Sequence, residues 1–172
     1  MILTGNKILE EVGRGKIKVT PFDKKRITTN SYDLRLGDKL IRYTSKVMDP
    51  KKEPKFKLID IPSDGINMKA GDFLLGSTKE KIGSDFYVPI IHAKSGTARM
   101  GLFVHITADL IDIGSFGNAT LQLYATLPVR LYPGMLIAQV SFWKPQGKII
   151  LYKGKYQNSQ GPMASMTHKD FD

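Results

Sequence analysis

The chain is cut into short alternating apolar stretches, each stopped within a few residues by proline or by a glycine-bearing turn. That punctuation is the strongest constraint on its fold, because it leaves little room for long helices. Lys16–Thr20 alternates and ends at Pro21, and Tyr32–Leu36 alternates and ends at Gly37-Asp38. Further strands are predicted at Asp72–Ser77, Phe103–Ile106, Thr120–Ala125, Leu136–Phe142 and Lys148–Tyr152. Turns are predicted at Pro62–Gly65, Gly114–Gly117 and Tyr132–Gly134. One helix of useful length is predicted near the start. Thr4 is placed to cap it, Ile8, Leu9 and Val12 share a face, and Gly13 and Gly15 end it. Many short strands at this spacing predict a mainly β sandwich or barrel. Met48–Pro62, rich in lysine and proline, is read as a loop or an edge excursion. Gly154–Asp172 is read as an arm that orders only against something else.

At 172 residues the chain is sized for one domain with its own core. Apolar residues at 41% and charged residues at 24% match a globular protein rather than a disordered one. The absence of cysteine excludes disulfides, thiolate–metal sites and a cysteine nucleophile. No apolar run approaches the roughly 20 residues of a membrane span. Met1–Lys7 lacks the apolar stretch of a signal peptide, so a cytoplasmic, membrane-free protein is expected. The net charge is +10, and Arg14–Lys55 holds 13 Lys/Arg against 5 Asp/Glu. A solvated basic surface is favoured there over a nucleic-acid face or a funnel for a phosphorylated ligand.

The three histidines, His92, His105 and His168, form no H-x-E or H-E-x-x-H pattern. With cysteine absent, zinc-deaminase chemistry is excluded. Walker A and G-x-G-x-x-G loops are absent too. The densest polar segment is Ala93–Gly101, in which Ser95 and Arg99 stand four apart. With Lys94 and Thr97 it suits phosphate binding, against the plainer reading of a solvated turn. Asp112 precedes a glycine-bearing turn, where a carboxylate either caps the turn or serves as a base at a pocket rim. In Thr120–Tyr124 the two leucines face one way, while Thr120, Gln122 and Tyr124 face the other. Gln122 then sits on a pocket wall or on a water-facing strand.

Taken in order, these segments resemble the dCTP deaminase branch of the dUTPase superfamily over nearly the whole chain. Met1–Leu3 and Ser31–Gly37 are similar to its N-terminal part, and Lys94–Arg99 to its G-R-S-S-x-x-R motif. Gly101–His105 through Asp112, with Gly114 and Gly117, resembles its central motif. Arg130, Pro133–Met135, Gln139–Phe142, Tyr152, Gly154–Tyr156 and Gly161 continue the match. The resemblance implies a distorted β-barrel or jelly-roll-like domain over residues 1–153 and a nucleotide-closing arm over 154–172. It also implies a homotrimer with active sites between subunits, and a deoxynucleoside triphosphate substrate carrying Mg²⁺ on its phosphates, with no metal site of the protein's own. By matching positions, Lys94, Ser95, Gly96, Thr97, Ala98 and Arg99 would form the phosphate and catalytic segment. Asp112 would face the sugar and the reacting water. Thr120, Leu121 and Gln122 would line the base, and Tyr152, Lys155, Ser159 and Gln160 would contact the nucleotide.

Three departures shape the expected activity. Gln122 stands where the resemblance places the deaminases' catalytic glutamate, and an amide cannot carry protons between water and a leaving amine. Lys94 and Gly96 replace arginine and serine, so the bidentate guanidinium fork is lost. Ser159 replaces a glutamine of the arm, with Gln160 adjacent. Because Asp112 is kept and the glutamate is not, the expectation is a dUTP diphosphatase, with Asp112 activating water and Gln122 pairing with uracil. The alternatives are a dCTP deaminase, perhaps bifunctional, and a dUTP- or dCTP-binding regulator without turnover.

Overall fold

The longest strand, β6 (Phe73–Gly83), organises the rest. In the computed structural model, which describes residues 1–171, it pairs with four other strands or strand ends. Its neighbours are β3 (Lys39–Tyr43) on one side and β9 (Phe116–Ala125) on the other. Edge strand β4 (Phe56–Asp60) lies beyond β3, and the two-residue β8 (Leu102–Phe103) lies beyond β9. The short β1 (Lys18–Thr20) pairs with the far end of β6. A three-stranded sheet runs in the order β2 (Tyr32–Arg35), β11 (Leu136–Trp143), β7 (Val88–Ala93). A ribbon of β5 (Ile66–Met68) with β10 (Val129–Leu131) completes the strands. Among the described residues two α-helices are present, α1 (Gly5–Gly13) and the single-turn α2 (Ser95–Arg99).

The period-2 rule accounts for the core. Leu121, Leu123 and Ala125 of β9 are fully buried and meet Tyr32, Leu34, Val140 and Phe142 of the facing sheet in one apolar cluster. Thr120, Gln122 and Tyr124 emerge half-exposed on the opposite face. The expected mainly β architecture is therefore present, as three sheets around one core rather than as a closed barrel. Helix α1 follows Thr4 as predicted, although the Thr4 side chain makes no capping bond. Its buried side carries Glu11 beside Ile8, with Lys7, Arg14 and the Tyr87 hydroxyl around the carboxylate.

Some expectations need correction. Lys148–Tyr152 is not a strand: Tyr152 N donates to Ile113 O, but no ladder forms, and Ile150 is 85% exposed. Its alternation has no partner strand among the described residues. Conversely, β3, β4, β5, β7 and β10 escape sequence reading. β4 is an edge strand with only Ile59 and no other residue partly buried, so it has little apolar period to find. β7 contains Pro89, which argues against a strand in isolation.

β6 shifts register against β9 between Ser77 and Lys81, and the irregularity is held from inside. Glu80 is wholly buried there. Its carboxylate accepts from Arg35 Nε at 2.7 Å, Arg35 N at 2.9 Å and Arg26 Nη1 at 2.6 Å. Removing the carboxylate would leave the mostly buried Arg35 guanidinium unpaired and Arg26 with only Asp23, at 3.6 Å. Glu80→Ala is expected to cost about 3–5 kcal/mol of stability in urea denaturation, with Glu80→Gln less damaging; a loss below about 1 kcal/mol would show that the cluster does not hold the bulge.

Candidate active site

The polar face of β9 is roofed by the C-terminal segment, and the space between them is a cavity of about 390 Å³. The roof is attached mainly by backbone groups. Asn118 N donates to Ser159 O at 3.0 Å, Ser159 Oγ donates to Asn118 O at 2.7 Å, and Gly161 N donates to Asn118 Oδ1 at 3.1 Å. Met163 N donates to Thr120 Oγ1 at 3.0 Å. Further along, Ser165 N donates to the Tyr43 hydroxyl and Met166 N to the Tyr156 hydroxyl. The approach at Gly117 is close enough that a Cβ there would lie 2.3 Å from Ser159 Oγ and 2.7 Å from Ser159 N, so only glycine fits. Asn118 is positioned in turn by the β6 bulge: its Nδ2 donates to Thr78 O at 2.9 Å, with Lys79 O and Glu80 O at 3.3 Å.

Asp112 lines this cavity from the turn before β9, exposed, and it is the one carboxylate among the lining residues. Gln122 lines it from β9, across from Leu75 of β6. The Gln122 Oε1 atom accepts from Ile106 N at 3.0 Å and, more weakly, from Thr107 N at 3.4 Å. Tyr152 and Ser159 also line it, as does Thr120. The sequence reading therefore brings Asp112, Thr120, Gln122, Tyr152 and Ser159 to one cavity.

The remaining predicted residues lie elsewhere. The side chain of Leu121 is fully buried in the core and does not line the cavity, as strand alternation requires. Lys94, Ser95, Gly96, Thr97, Ala98 and Arg99 are absent from the lining. Lys94 Nζ pairs with Asp33 Oδ2 at 2.5 Å, while Ser95, Gly96, Ala98 and Arg99 are exposed and Thr97 is buried. Lys155 is outside the lining and pairs with Asp170 at 2.5 Å. Gln160 is exposed, and the glutamine that docks the arm is Gln157. Its Nε2 donates to Gly114 O at 2.7 Å, and its Oε1 accepts from Phe116 N at 2.8 Å. Tyr43, Asn118 and Gln157 were missed by sequence reading, and Tyr156 was matched within Gly154–Tyr156 without a role. Their roles show only through partners brought together by folding: Ser165 for Tyr43, Met166 for Tyr156, Thr78 for Asn118 and Phe116 for Gln157. The histidines do not line the cavity. His92 shares a hydrogen bond with Ser141 Oγ at 2.8 Å, and burial, followed by the neighbouring His105, pushes its imidazole below the ordinary histidine range.

No helix among the described residues is long and apolar enough to cross a membrane. A family profile described as dCTP deaminase-like matches residues 2–145. The chain is 40% identical to the "dCTP deaminase, dUMP-forming" of Clostridium beijerinckii over 173 aligned residues, covering 100% of this chain and 99% of the relative. It is 40% identical to the protein of that name from Leptospira biflexa at the same coverage, and 39% identical to that of Cytophaga hutchinsonii, again at the same coverage. Among solved structures, the 2'-deoxycytidine 5'-triphosphate deaminase of Agrobacterium tumefaciens superposes with a TM-score of 0.65 at 23% identity. That match covers 82% of this chain and 47% of the other, and shows a shared fold. These full-length relatives overturn the expectation of a dUTP diphosphatase, which follows from Asp112 being kept while Gln122 replaces a glutamate. The chain belongs to the dCTP deaminase-like family.

Proposed function

We propose that the chain is a dCTP deaminase of the dUMP-forming kind, converting dCTP and two waters into dUMP, ammonia and pyrophosphate. The observation that carries this is the roofed cavity over β9, with a single carboxylate, Asp112, and a planar amide, Gln122, on its walls. The full-length relatives named for that activity support it. In the first step water adds to C4 of cytosine and ammonia leaves. In the second, water attacks the α-phosphorus and pyrophosphate leaves. Both steps need a group that takes a proton from water. Gln122 cannot supply it, so the role falls to Asp112, while Gln122 orients the base. The arm excludes water from the occupied site.

The cavity lining contains no lysine or arginine, yet a triphosphate needs cationic partners. Ser95 and Arg99, exposed on α2, are suited to serve the cavity of a neighbouring copy, as in a homotrimer with shared sites. Mg²⁺ fits as a companion of the substrate. No cluster of three or more His, Asp or Glu among the described residues could hold it, so phosphate oxygens and water would, and it would neutralise phosphate charge.

A second reading, nucleotide binding without turnover, is favoured by one observation: the Gln122 amide is already engaged with Ile106 and Thr107. Product analysis decides. Incubation with dCTP and Mg²⁺ is expected to release ammonia, pyrophosphate and dUMP, and binding with no product would establish the second reading. Asp112→Asn is expected to lower turnover by about 10²-fold or more while leaving dCTP affinity nearly unchanged. Gln122→Glu is expected to raise ammonia release, since one carboxylate oxygen can keep the two backbone bonds and the other can move protons. Mixing inactive Arg99→Ala and Asp112→Asn chains is expected to restore about a quarter of the sites if each is shared between copies, and no recovery would exclude sharing.

A further inference from the structure

The turn that carries Asp112 is held from two sides. On the core side Gly114 N donates to Ser84 O at 2.8 Å, and Ser115 N closes the turn on Asp112 O at 3.1 Å. On the other side lies the root of the arm. Tyr152 N donates to Ile113 O at 2.8 Å, and Asn158 N donates to Phe116 O at 2.9 Å. Between these two bonds the Gln157 amide spans the turn. Its Nε2 donates to Gly114 O at 2.7 Å, and its Oε1 accepts from Phe116 N at 2.8 Å. Both partners are backbone groups of fixed polarity, so the amide has one orientation. Gly114 has φ +89°, and a Cβ there would lie 2.9 Å from Tyr152 N, so the close approach of the root requires glycine in the turn.

Gln157 is the only side chain among the described residues that hydrogen-bonds to the turn Asp112–Phe116. It does not line the cavity. The Asp112 carboxylate is exposed at the cavity wall, with no hydrogen bond or ion pair among the described residues. Its place is therefore set by the backbone of its turn. A general base works only within hydrogen-bond reach of the water it deprotonates. A displacement of about 1 Å can cost about 10²-fold in rate. We infer that Gln157 is a positioning residue for Asp112. By joining Gly114 to Phe116 it ties the docked arm to the turn, so the bonds that seat the roof also place the carboxylate. This rests on the proposed role of Asp112 and adds what holds that group at the wall. The backbone bonds from Tyr152 and Asn158 do not depend on the Gln157 side chain, so its loss loosens the turn without releasing the root.

A double-mutant cycle tests this, with single-turnover release of ammonia and pyrophosphate from dCTP in Mg²⁺ by the full-length protein as the readout. Gln157→Met keeps the length of the side chain and removes both bonds. It is expected to lower the single-turnover rate by about 10- to 100-fold when Asp112 is present. In the Asp112→Asn background the same substitution is expected to add no further loss, because no base remains to be misplaced. Affinity for the α,β-imido analogue of dUTP, which offers no amine to release, is expected to stay nearly unchanged in calorimetric titration. Gln157→Glu keeps an acceptor for Phe116 N but offers no donor to Gly114 O. It is expected to show the same dependence on Asp112, and it carries the test if Gln157→Met does not melt cooperatively. An unchanged rate in Gln157→Met, or equal losses in both backgrounds, would overturn the positioning role and leave Asp112 as the base. Full turnover by Asp112→Asn would overturn the base and the inference together, as would absence of product from the unsubstituted protein.

Discussion

A buried carboxylate with two arginines holds the architecture of the site together. Glu80 carries its charge into the interior, where it is tolerable only because Arg26 and Arg35 surround it. That cluster ties the β6 bulge to β2 and to the short helical turn at Lys24–Arg26. The bulge turns the carbonyls of Thr78, Lys79 and Glu80 toward Asn118. Asn118 then uses its backbone and its side-chain oxygen to receive the arm. One ion cluster on the core side thus sets where the roof of the cavity lies on the other side.

The arm follows from the same accounting of backbone groups. Residues after Tyr152 have little apolar periodicity, so they cannot bury a face of their own. Their N–H groups instead find acceptors on β9, on Thr120 and on the tyrosine hydroxyls. Such bonds are modest individually, and buried Pro162 adds apolar contact to them.

The phosphate-binding segment shows the limit of one copy of the chain. Ser95 and Arg99 lie on one short turn with their side chains exposed, as their spacing suggested, but away from the cavity. Lys94, expected beside a phosphate, instead neutralises Asp33. Charge and cavity are therefore separated within one chain.

The alternation of leucines in Thr120–Ala125, the start of α1 after Thr4 and the punctuation by glycine and proline were readable because periodicity and turn chemistry are local. The same locality placed Gln122 and Thr120 on the face opposite the core and identified Asp112 as a carboxylate before a turn. It failed for Leu121, where strand alternation should have outweighed the family match, and for Lys148–Tyr152, whose alternation meets no partner. It also failed for the activity, because one substitution was given more weight than the whole chain. What the sequence alone determined was the strand pattern, the chemistry-bearing residues and the family resemblance. What only the tertiary structure decided was which of those residues share a cavity, that Gln157 rather than Gln160 docks the arm, and that the Gln122 side-chain oxygen is taken by Ile106 and Thr107. Those outcomes depend on backbone groups brought together from distant parts of the chain, and no local pattern encodes such pairings.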